Sequence, residues 1–228
     1  MDIAQQGYQE NEARRQEQTT AKVLAGGSLA EGLAGAAAIA LSIIGLAGYF
    51  PLYMVTIATI AVGAALLFEG GAISSRISDL VNRSGNTSFD MSEIGSGMTA
   101  EFLAGITGIT LGILALIGMY PLMFVAISAI VFGVALIISS GTTARLNFFA
   151  LGRYENENAR AIAREALYAA SSVQLLIGIA SLTLGILSLL GFATPITLLL
   201  VAMLIVGFSD LLSGSAISSR MMSIFRRP

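Results

Sequence analysis

The chain has no cysteine, no histidine and no tryptophan, only four prolines, and charged residues at just 11% of its 228 positions. Without thiolate or imidazole there are no disulfides, no haem axial ligands and none of the usual zinc ligand sets. The commonest general base is missing as well. No enzyme activity, cofactor or metal is therefore expected, and no catalytic residue is assigned. Twelve basic residues stand against 14 acidic ones, a formal net charge of -2. No basic face exists to neutralise phosphates, so nucleic acid is not an expected partner. An ordinary soluble domain has about 25% charged residues; this chain has fewer than half that and is 55% hydrophobic. Both a water-soluble domain and a disordered chain are excluded, since disorder needs low hydrophobicity and high charge.

What is present is apolar sequence in long runs. Crossing a hydrocarbon core of roughly 30 Å takes about twenty residues of helix. Six stretches are that long, near 27–48, 52–73, 100–120, 122–141, 171–192 and 196–215. They fall into three pairs separated by short turns ending in Pro51, Pro121 and Pro195. A proline lacks the N–H of the next helical hydrogen bond and disfavours helix in the residue before it, so each pair reads as a helical hairpin. The expected fold is an all-α membrane bundle of six transmembrane helices in three hairpin repeats.

The expected layout is a polar N-terminal segment (1–22), hairpin 1 (23–76), a loop (77–99), hairpin 2 (100–145), an interfacial amphipathic helix (146–170), hairpin 3 (171–220) and a tail (221–228). Turn formers such as Asn82, Ser84, Gly85 and Asn86 mark the loop. Charges alternating with apolar residues mark the amphipathic segment, including Arg153, Glu157, Arg160, Ile162, Arg164 and Leu167. Residues 1–22 contain no long apolar run, so they read as retained rather than as a cleaved signal.

The hairpins repeat one another. At an offset of 70, Leu33-Ala34-Gly35 becomes Leu103-Ala104-Gly105, and at an offset of 73 Leu111-Gly112-Ile113-Leu114 becomes Leu184-Gly185-Ile186-Leu187. Gly63, Gly133 and Gly207 each follow their proline by 12 residues. The polar lead-in recurs too, as Tyr8–Arg14 and Tyr154–Arg160. An even number of spans per repeat gives all copies one orientation. All 12 basic residues lie outside the three proline turns. The positive-inside rule then expects both termini and both long connections in the cytoplasm, and the protein in the inner or plasma membrane.

Acids in or beside apolar helices are candidate functional residues because they are expensive there. Glu31 and Glu101 share a repeat position at which the third copy has Gln174. About twenty residues from the proline turns, they are expected at the cytoplasmic boundary, favoured by the helix N-terminus. Glu69 is expected at the same boundary, with Ser139 and Ser213 as counterparts. Asp210, 15 residues past Pro195 and matched by Leu66 and Leu136, is expected inside the slab. A charge found in one copy either pairs with another group across the bundle, Arg145 or Arg220 being able to snorkel toward it, or faces a protein partner. Small residues at every fourth position, Ala34, Ala38 and Ser42, then Ala104, Gly108 and Gly112, then Ser181 and Gly185, provide helix-packing faces within or between subunits.

The strings Leu111 to Gly118 with Pro121 and Gly133, and Leu184 to Gly191 with Pro195 and Gly207, resemble those of the HdeD-like short-repeat membrane proteins. These are six-span bacterial proteins linked to acid resistance. The resemblance implies a plasma-membrane protein without known catalytic residues. Two functions remain open. One is a structural or assembly subunit packing laterally in the bilayer against itself, as a homo-oligomer, or against a membrane complex. The other is a channel or transporter for protons, ions or a small solute.

Overall fold

The computed structural model describes residues 29–84, 91–150, 157–192 and 194–225, with side chains described within 29–71, 99–141, 171–192 and 194–214. These residues form six helices: α1 (Leu29–Leu46), α2 (Pro51–Ser84), α3 (Met91–Leu116), α4 (Pro121–Ala150), α5 (Glu157–Leu189) and α6 (Pro195–Phe225). Each contains a stretch long and apolar enough to cross a membrane. The chain is an all-α, multi-pass membrane protein whose helices pack as three hairpins.

Each hairpin turn is built the same way. The first helix ends at a glycine in the left-handed region, Gly48 (φ 93°), Gly118 (φ 96°) and Gly191 (φ 72°). In the first turn the Gly48 N–H bonds the Gly45 carbonyl and the Tyr49 N–H reaches back to Ile44. Gly118 and Met119 repeat this pairing, as do Gly191 and Phe192. These paired bonds satisfy carbonyls that the helix end would otherwise strand in an apolar medium. Proline then opens the next helix, where its missing N–H has no partner to lose. In the first two turns Phe50 (φ 43°) and Tyr120 (φ 39°) are also left-handed. The third turn is one residue longer, and there Thr194 accepts the first helical bond from Leu198.

At the opposite end the helices outrun the bilayer. With 34 residues, α2 is about 51 Å long. The loop expected over 77–99 is therefore largely helix, since α2 continues to Ser84 and α3 begins at Met91. Between Arg76 and Arg83 there is neither glycine nor proline to stop propagation, and turn formers alone do not break a helix already nucleated. The separate interfacial helix expected over 146–170 is likewise corrected: α4 runs to Ala150 and α5 runs unbroken from Glu157 to Leu189. Its amphipathic part is the continuation of a spanning helix. The expected segment 1–22 and the Tyr8–Arg14 motif lie outside the described residues.

The second helices of the hairpins form the inside of the bundle. Buried positions make up 44, 50 and 39% of the spanning windows of α2, α4 and α6, against 28, 33 and 22% in α1, α3 and α5. Where α2, α4 and α6 meet one another, equivalent residues fill the centre in layers. Val55, Val125 and Leu199 make one layer, Thr59, Ala129 and Met203 the next, then Val62, Phe132 and Val206, all fully buried.

Three seams hold the outer helices on, and each joins one hairpin to the next. A Cβ placed on Gly105 of α3 would stand 2.6 Å from the Gly63 carbonyl of α2. One on Gly133 of α4 would meet the Gly178 carbonyl of α5 at 2.6 Å, and one on Gly35 of α1 would meet the Gly207 carbonyl of α6 at 2.7 Å. The last seam closes the ring. Every crossing lies 12 residues after one proline and 16 or 17 before another, which puts all three turns at the same end of the bundle.

Candidate functional site

The seams carry polar residues to the end of the bundle opposite the turns. Four residues before the first-helix glycines stand Glu31, Glu101 and Gln174, and six after the second-helix glycines stand Glu69, Ser139 and Ser213. On the α6–α1 seam the Ser213 hydroxyl donates to Glu31 Oε1. On the α4–α5 seam Gln174 Nε2 donates to Ser139 Oγ at 3.1 Å. The α2–α3 seam has a carboxyl, Glu69, in place of the hydroxyl, at the position that on the other seams meets the residue equivalent to Glu101. Gln174 Nε2 also lies 3.5 Å from Glu101 Oε1, which links two seams.

One turn nearer the proline end, Asp210 occupies the layer whose other members are Leu66 and Leu136. It is 1% exposed, and Glu31 and Glu101 are fully buried. Asp210 sits beside the α6–α1 seam, where a Cβ on Gly35 would be 3.1 Å from its own Cβ. It lies within electrostatic range of Glu69, Glu31 and Glu101. Four acids from four helices therefore converge on one end of the bundle. The glycine crossings favour this convergence, because small residues let the helix backbones approach closely.

Neither Asp210 oxygen accepts a hydrogen bond, and Glu101 Oε2 accepts none. The expected pairing of Asp210 with Arg145 or Arg220 rests on two arginine side chains that lie outside the described residues. No basic residue is among the described side chains. Among the described residues no three acids are placed to hold a metal ion.

The chain matches no known protein family, no curated protein and no solved structure. The likeness to HdeD-like proteins thus rests on the span and turn strings alone.

Towards the turns the polar side chains are hydroxyls, and most are turned onto backbone carbonyls. Thr56 donates to Tyr53, Thr59 to Val55 and Ser128 to Phe124. Ser181 crosses between helices to the Ala129 carbonyl at 2.9 Å. Ser42 Oγ is buried without a partner. Of the expected packing residues, Ala38, Ser42, Ala104, Gly108, Gly112, Ser181 and Gly185 are buried inside the chain, and Ala34 is half-buried. Gly108 makes room for the Phe132 ring, which an added Cβ would strike, and Gly112 makes room for Ile60. The small residues thus face the chain's own helices. The seam glycines Gly35, Gly105 and Gly178 escaped the four-residue stripe, although the repeat already pairs the first two.

Proposed function

We propose that this chain is a non-enzymatic structural or assembly subunit of a membrane, seated with both termini and both long connections in the cytoplasm. The observation that carries the reading is the filled centre: buried side chains occupy each layer from Val55 to Val62, all apolar but for Thr59, whose hydroxyl is turned onto the Val55 carbonyl, and the ring of helices is closed by three seams. A solute path needs polar groups or water along its length. Among the described side chains the acids and the amide gather at one end, and towards the turns the polar groups are hydroxyls, of which Ser42 is buried without a partner. The outer faces supply the lateral surface for lipid or a partner, with Leu33, Leu103 and Leu176 at equivalent exposed positions.

The test is the mass of the protein extracted from native membranes in mild detergent. The proposal expects an assembly larger than one chain, either a homo-oligomer or a complex of constant composition; a lone chain counts against it. A proton, ion or small-solute channel or transporter is the second reading, favoured by the four converging acids. Flux through reconstituted vesicles separates the two.

A further inference from the structure

We propose that the buried polar end of the bundle is a proton-binding site, with Asp210 and Glu101 as the groups that carry the protons. This goes beyond a structural role and does not depend on it, since holding a proton requires no path across the membrane. Two independent features meet there. One is the cluster made by the seams, in which Gln174 from α5 reaches both Glu101 from α3 and Ser139 from α4, and Ser213 from α6 donates to Glu31 from α1, with Glu69 from α2 at the position equivalent to the two serines. The other is Asp210 from α6, which is 1% exposed, has neither oxygen bonded, and stands against α1 at Gly35, one turn from Glu31.

An ionised carboxylate only accepts hydrogen bonds, whereas a protonated one also donates. Burying the ionised form with no donor and no cation is among the most expensive placements in a membrane helix. The repeat provides a control. Where the third copy has Gln174, an amide supplies the donor that reaches Ser139 and Glu101. Where the first two copies have Leu66 and Leu136, the position of Asp210 needs no donor at all. Among the described residues neither Asp210 oxygen has a donor, and Glu101, reached by Gln174 on Oε1, has none on Oε2.

Among the described residues no three acids are placed to hold a metal ion. The facing groups of α4 and α5 are a hydroxyl and an amide. Arg76, Arg145 and Arg220 lie further out on α2, α4 and α6, past the described side chains. The proton comes from water at the polar end and adds to a carboxylate oxygen; no other bond changes.

Infrared spectroscopy of the purified full-length protein in lipid at neutral pH tests this. A protonated carboxylic acid shows a carbonyl stretch that carboxylates lack. The wild-type protein is expected to show it, Asp210→Asn to lose one part of it and Glu101→Gln another. Glu101→Gln repeats a residue that the third copy already tolerates, and Asp210→Leu repeats the other two copies, so folded variants are at hand. Absence of the stretch in the wild-type protein overturns the proposal without any variant. So does a stretch that survives at full intensity in folded Asp210→Leu and Glu101→Gln. Neither result bears on oligomeric mass, so failure here is distinct from failure of the structural reading.

Discussion

Substituting Gly105 by alanine asks directly whether the seams hold the bundle together. The new methyl carbon would stand 2.6 Å from the Gly63 carbonyl, 2.7 Å from the Leu67 nitrogen and 2.9 Å from Leu67 Cβ, where ordinary contact begins at 3.4 Å. Two of those three atoms are backbone, so no rotamer change relieves the clash and α3 must move away from α2 by most of an ångström. Overpacking of this kind costs about 1–3 kcal/mol. Alanine is favoured over glycine within a helix by about 1 kcal/mol, which offsets part of that. Gly141 is the control, because it lies on α4 with nothing within 4 Å of an added Cβ. Gly141→Ala should therefore gain stability and Gly105→Ala lose it, a separation of about 2 kcal/mol from the same two principles. Equilibrium unfolding in mixed micelles, followed by helical circular dichroism, reads the difference. Gly35→Ala and Gly133→Ala should match Gly105→Ala. Equal stability of Gly105→Ala and Gly141→Ala would refute the seam account.

Gly108→Leu should be worse than any seam alanine, because the Phe132 ring already occupies the space; loss of the folded monodisperse protein on size exclusion checks it, and a well-behaved variant contradicts it. Inserting one alanine after Tyr49 copies the longer third turn and frees Phe50 from its left-handed backbone. A residue so held costs of order 1–3 kcal/mol, so the insertion should leave thermal stability unchanged or raised; collapse of the fold would show that the tight turn is required. Cysteines at Asn86 and Asn156 should resist a membrane-impermeant thiol reagent in intact cells while one at Met119 is labelled, and the reverse pattern would invert the proposed orientation.

Much of this architecture is readable from the residues. Pro51, Pro121 and Pro195 divide the apolar runs into hairpins, and the spans expected near 27–48 and 122–141 compare with Leu29–Leu46 and Pro121–Gly141. Helix ends facing water were harder, because nothing between Arg76 and Arg83 forces a stop and solvent tolerates the extra turns. The pairing of seams was illegible for a different reason. A glycine announces close approach but not the partner, and the repeat fits equally well whether Gly105 meets its own hairpin or the previous one. The cluster followed from that gap. Glu69 read as a lone boundary acid because its counterparts are serines, yet the seam pattern that sets Ser213 against Glu31 puts Glu69 at the equivalent position toward Glu101. The position of Asp210 inside the apolar layers was visible from its counterparts Leu66 and Leu136; its lack of a partner was not.

The central claim is that a closed ring with a filled centre builds a membrane structure and does not conduct. Proton and cation flux through vesicles reconstituted with the full-length protein measures it most directly. The account expects wild-type and Asp210→Asn vesicles to leak no faster than protein-free ones. Flux through the wild-type protein that Asp210→Asn abolishes would contradict it and make the transport reading the correct one.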